Sequence, residues 1–209
     1  MMTRKLLCLL IMLSLALPLV GCQPKGEELY RDDFSNPDTG WEETDSANIT
    51  RGYKEGSYQF EIRTAQTDDW VLANQDFKNV SVEADLTRTR GLDDNNYGVV
   101  CKYSSPISFY AFVISSDGSY MIEKRTKQGF ARLSGTQFEI SDRIKTGGKL
   151  NHIKAVCGDG FLELYVNGKF VDRAEDDALT SGDVGLFAGT YADSLLKVSF
   201  DNFVVRSIP

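Results

Sequence analysis

Between Leu150 and Val171 the chain alternates apolar and polar residues in two runs separated by Gly158-Asp159-Gly160. A second turn signal, Asn167-Gly168, closes the second run. Aspartate or asparagine before glycine supplies the positive φ angles of a tight hairpin. Ile153, Ala155 and Cys157 fall on one face of the first run, and Leu162, Leu164 and Val166 on one face of the second. A strand with one apolar face has to bury it against another layer. The pattern therefore predicts an all-β fold of two packed antiparallel sheets.

The same period of two recurs through the chain. Tyr58, Phe60 and Ile62 share a face. Val80, Val82, Ala84 and Leu86 alternate with Ser81, Glu83, Asp85 and Thr87. Phe109 to Ile114 is apolar on both faces, as a strand covered twice would be, and Asp117-Gly118 turns it into the next. Gly129 to Ile144 is weakly patterned and is expected to cross between sheets. Trp41 reads as a packing residue. No helical periodicity and no internal repeat follows the first residues.

Several stretches resemble concanavalin A-like (laminin-G-like) jelly rolls. They are Asp32-Asp33-Phe34-Ser35 with Gly40-Trp41, the "N-x-I … L-x-V-N-G-x-x-V" hairpin with Leu150 in the tryptophan position, and "S-G-x-V-G-L … V-x-F-D-N-F-x-V" between Ser181 and Val205. The likeness covers nearly all of Leu29 to Val205 and implies a two-sheet antiparallel jelly-roll sandwich.

Arg4-Lys5, an apolar run from Leu6 to Leu17 and Leu19-Val20-Gly21-Cys22 read as a secretory leader. Its end resembles a bacterial lipoprotein lipobox. That resemblance implies cleavage before Cys22, lipidation of Cys22, and durable attachment through two or three acyl chains. An ordinary leader with an incidental cysteine is the alternative. Residues 1–21 are thus expected to be signal peptide, 22–28 lipidated cysteine and tether, and 29–209 the sandwich. Six extended residues reach only roughly 20 Å, which puts the domain close to the membrane on its extracytoplasmic side, in the cell envelope. There, Cys101 and Cys157 lie in an oxidising compartment. They form a disulfide or remain two buried thiols. The formal net charge of −7 becomes more negative if Arg4 and Lys5 leave with the leader. Scattered basic residues in an acidic domain argue against a nucleic-acid partner.

Candidate chemistry is sparse. Glu83 and Asp85 project from one strand face about 6–7 Å apart, the spacing that invites a glycosidase reading. Glu83-Ala84-Asp85 resembles the start of the Glu-x-Asp-x-(x)-Glu motif of glycoside hydrolase family sixteen. Thr87 and Arg88 stand where that family has its general acid, so that hydrolysis is not expected. Asn96-Tyr97-Gly98 followed by Lys102 resembles a strand of the 3-keto-disaccharide hydrolase-like domain, with tyrosine for serine and lysine for arginine. The sole histidine, His152, leaves zinc sites and Ser/His or Cys/His nucleophiles without a part, and is expected to be structural. A structural calcium is expected at Asp32 or Asp33 and Asp201 on the terminal strands, with surface or turn residues as the alternative. Glu83, Asp85, Lys102 and Tyr110 are the expected ligand-binding residues. The reading is a non-catalytic, lipid-anchored module that binds glycan or envelope material. A glycoside-acting enzyme of the 3-keto-disaccharide hydrolase type and a protein-interaction or structural lipoprotein are the alternatives.

Overall fold

The computed structural model describes residues 26–192 and 195–208. The leader, the lipobox and Cys22 lie outside the described residues. Two antiparallel sheets face each other. The nine-stranded sheet holds β1 (Glu28–Asp32), β2 (Thr44–Asp45), β3 (Ile49–Lys54), β4 (Ser57–Ile62), β6 (Val80–Gly91), β12 (Asn151–Cys157), β13 (Phe161–Val166), β14 (Lys169–Glu175) and β16 (Leu196–Ser207). Its order is β14-β13-β12-β6-β16-β4-β3-β2, with β1 against β16. The seven-stranded sheet holds β5 (Asp68–Phe77), β7 (Asn96–Ser105), β8 (Ser108–Ser115), β9 (Ser119–Thr126), β10 (Gly129–Arg132), β11 (Glu139–Ile140) and β15 (Gly182–Gly189). Its order is β10-β9-β8-β7-β15-β5, with β11 against β9.

The expected hairpins form. Asn167 (φ 52°) and Gly168 (φ 74°) are both left-handed, as a two-residue turn between right-twisted strands requires. Alternation then fixes what is buried. Val82, Ala84 and Leu86 from β6, with Ile153 and Ala155 from β12, meet Val99, Phe112 and Leu186 of the other sheet in one core. Cys101 and Cys157 are joined in a disulfide that ties β7 to β12 across this core, 56 residues apart in the chain. Closing a loop of that length stabilises by about 4 kcal/mol through loop-closure entropy.

The segment from Gly129 differs from the sequence expectation. It does not cross at once. Its two short strands, β10 and β11, both pair with β9 in the seven-stranded sheet, and the crossing to β12 is made after Ile140. Phe130 and Phe138 explain the delay, because both pack onto the outer face of that sheet.

That outer face is concave. Phe130 on β10 and Phe187 on β15 are four strand positions apart, about 19 Å in a flat sheet, yet their ring centroids are 5.7 Å apart. Trp70 on β5 and Phe109 on β8 likewise meet at 5.0 Å. The sheet curls around a second apolar cluster. Phe109, Phe187, Val100 and Met121 are buried in it, and Trp70, Tyr103, Phe130 and Phe138 cover them in part.

Candidate functional site

The structure separates the four residues expected to bind ligand. Glu83 and Asp85 point from β6 onto the outer face of the nine-stranded sheet and bracket His152, which pairs with Asp85 in register. His152 Nδ1 lies 2.8 Å from Asp85 Oδ1 and Nε2 lies 3.4 Å from Glu83 Oε2. Hydrogen bonding to Glu83, then to Asp85, holds the imidazole above its usual range despite partial burial. Burial alone would raise Glu83, but His152 and the charges of Lys154 and Arg206 outweigh it and hold that carboxyl low. Asn202 Nδ2 donates to the remaining oxygen of Asp85 at 2.9 Å. Both oxygens of Asp85 are hydrogen-bonded within the protein, and Glu83 lies within ion-pair distance of His152, Lys154 and Arg206, so the cluster ties β6, β12 and β16 together.

Lys102 and Tyr110 are corrections. Strict alternation would put Lys102 on the concave face with Asn96, Gly98 and Val100. A bulge between Cys101 and Ser105, with Lys102 itself at φ 50°, turns the side chain inward instead. Its ammonium donates to Gly158 O at 2.6 Å beside the disulfide, and burial lowers its pKa. Tyr110 shares the inner face with Phe112 and Ile114. Its hydroxyl donates to Asp176 Oδ1 at 2.5 Å and accepts from Leu179 N at 3.2 Å. Both side chains are buried and cannot reach a ligand on either outer face.

Asp33 serves its own turn, and Asp201 a bulge within β16. Asp33 accepts from Ser35 N at 3.0 Å and Ser35 Oγ at 2.6 Å, and Asp201 from Asn202 N at 2.6 Å. Asp32 accepts from Trp41 Nε1 at 2.9 Å. Among the described residues no group of three or more His, Cys, Asp or Glu is placed to hold a metal.

The concave face carries polar groups that the sequence reading missed. Glu123 on β9 is 7 % exposed and has no hydrogen-bond partner among the described residues. Burial, and after it the charge of Asp68, push its carboxyl up to about 7 against the pull of Arg132 and Arg125. Asn96 is 3 % exposed. Its Nδ2 donates to the Tyr191 hydroxyl at 2.9 Å, while its buried Oδ1 and the buried Nε of Arg125 find no partner among the described residues. The Arg125 guanidinium stacks over Phe130, 4.8 Å from the ring centroid. Gly189 makes room here: a Cβ on it would stand 2.3 Å from Asn96 Oδ1 and 2.7 Å from Asp68 Oδ1. Tyr191, the partner of Asn96, also lines a neighbouring cavity of about 370 Å³ with Arg132, Phe138 and Ile140. Buried polar atoms without partners are rare in folded proteins, and each calls for an explanation.

One signal for this site was present in the sequence. Asn96 and Gly98 belong to the stretch that resembles the 3-keto-disaccharide hydrolase-like domain. Glu123 gave none, since its burial follows from pairing with the twice-covered β8, opposite Ala111.

No family model matches the chain, and no curated protein matches its sequence. Solved structures do. A carbohydrate-binding module, CBM66, from Bacillus subtilis superposes with a TM-score of 0.64 at 16% identity, covering 80% of this chain and 96% of that one. The fold is a concanavalin A-like jelly roll. A Bacillus subtilis protein of unknown function with a galectin-like fold gives 0.62 at 13% identity, covering 88% and 97%. The GH43 protein BlXynB from Bacillus licheniformis gives 0.62 at 18% identity, covering 89% of this chain and 40% of that one. At such identities the likeness speaks for the fold alone.

Proposed function

We propose that this protein is a glycan-binding module of the cell envelope, held to the membrane through Cys22, and that the concave face of the seven-stranded sheet is where the sugar sits. The observation that carries the reading is Glu123, a buried carboxyl with no described partner on an aromatic-lined curved face. With it stand one further unpartnered acceptor, Asn96 Oδ1, and one unpartnered donor, Arg125 Nε. Sugar hydroxyls donate and accept from neighbouring carbons, so a ring whose apolar face lies on Phe130 or Phe138 offers partners of both kinds to this side of the sheet, Glu123 first among them. The CBM66 likeness supports the same class of ligand.

The test is a glycan array followed by calorimetry with the sugar found. Glu123→Gln is expected to weaken binding about tenfold, roughly the 1.4 kcal/mol of one hydrogen bond to a charged group. Glu83→Ala, on the other face, is expected to leave it unchanged. The reverse pattern, or no glycan bound, refutes the proposal. Anchoring is checked separately, since Cys22→Ala should release the chain from the membrane fraction.

One observation favours the glycoside-acting alternative: Glu123 at about 7 is poised as a general acid should be. Turnover of a 3-keto-glucoside that is lost in Glu123→Gln would establish it.

A further inference from the structure

On the opposite side of the sandwich, the outer face of β12 to β14 carries aromatic rings and cationic heads in contact. Tyr165 and Phe170 meet edge to face at 5.5 Å. The Arg173 guanidinium lies 4.9 Å over Phe161, and the Lys154 ammonium 5.7 Å over Tyr165. With Val156 and Ile208 these side chains line a shallow cavity of about 270 Å³, and Phe170 beside it is 53 % exposed.

Ile208 links this patch to the start of the chain. Its neighbour Ser207 donates through its backbone N to Glu27 O at 2.9 Å and accepts from Glu27 N at its hydroxyl, also 2.9 Å. Cys22 precedes Glu27 by five residues, at most about 18 Å of extended chain. A lipid anchor on Cys22 would therefore hold this end of the nine-stranded sheet within reach of the headgroups.

We propose that the Phe161–Tyr165–Phe170 patch rests on the bilayer interface. Aromatic rings with one wet edge settle at headgroup depth, and Arg and Lys lay their stems along apolar surface while their heads stay in water. Glu163 pairs with Arg173 at 3.1 Å and Glu83 with Lys154 at 3.9 Å, so the patch has no excess positive charge and suits zwitterionic rather than anionic headgroups. In this orientation the concave face, on the other sheet, points away from the membrane. The inference rests on anchoring through Cys22 and does not depend on the sugar site.

The experiment uses the full-length lipidated chain in phosphatidylcholine–phosphatidylethanolamine vesicles, with and without brominated phosphatidylcholine. Phe170→Trp reports the patch. Ile140→Trp, 72 % exposed on the other sheet, reports the far side, and the emission of Trp41 and Trp70 is subtracted using the parent chain. Flotation reads the anchor and quenching reads the patch. The expected result is a floating chain in which the Phe170→Trp signal is quenched at least twofold more than that of Ile140→Trp. A floating chain with equal quenching, or none, overturns the patch while leaving the anchor standing. A blue shift of Phe170→Trp without quenching also overturns it, in favour of contact with a second copy. A chain that does not float overturns both.

Discussion

Glu123 is costly to keep where it is. Its folded pKa of about 7 lies above the ordinary 4.5, so the folded state binds the proton more tightly than the unfolded one. Its contribution to stability is therefore greatest below pH 4.5 and falls as pH rises from there to about 7, by about 3 kcal/mol across the window. Glu123→Gln should abolish this slope and raise the melting temperature at pH 8 while weakening sugar binding. Opposite signs for stability and affinity are expected of a functional residue, and a packing role would lower both. Because the carboxylate is the form that accepts from sugar hydroxyls, affinity should rise with pH through about 7. A linked shift of one unit gives about tenfold, which calorimetry at pH 5.5 and 8 would read. His152 makes the contrasting case. Its raised pKa contributes stability that is full below 6.5 and is lost as pH rises through its folded value. With the side chain about a third exposed, the effect of His152→Gln should be about 0.5 kcal/mol after solvent screening, seen by urea unfolding at pH 6 and pH 8. Sugar binding should not change.

Strand patterning located most inner and outer faces correctly, and β6, β12 and β13 obey it residue by residue. Glu83 and Asp85 were legible as a paired outward set for that reason, although their partner His152 comes from the neighbouring strand. The rule failed at Lys102, where a bulge and a left-handed backbone break the period and send a residue expected at a ligand into the core. Tyr110 failed for another reason. β8 is apolar on both faces, so alternation gave no means of telling the core side from the concave side. The bridge between β7 and β12 was open in the sequence between a disulfide and free thiols. Replacing both Cys101 and Cys157 by alanine should cost about 4 kcal/mol by loop-closure entropy. Calorimetry, with mass measurement under non-reducing conditions on the parent chain, would check both points.

The curl of the seven-stranded sheet assembles the proposed sugar site. It brings Asp68 on β5, Asn96 on β7 and Glu123 on β9 onto one concavity, with Gly189 on β15 providing the space between the first two. Gly189→Ala should push Asn96 and Asp68 aside and weaken sugar binding more than tenfold with little loss of melting temperature. Binding calorimetry alongside a thermal scan would show whether the two effects part. Period-two burial and glycine turns are local properties, so the sequence by itself determined two stacked antiparallel layers and which side of most strands faces inward. The site joins residues as far apart in the chain as Asp68 and Gly189, 121 positions, through strand order and sheet curvature. These are long-range consequences of packing that no local pattern encodes, and only the tertiary structure decided them.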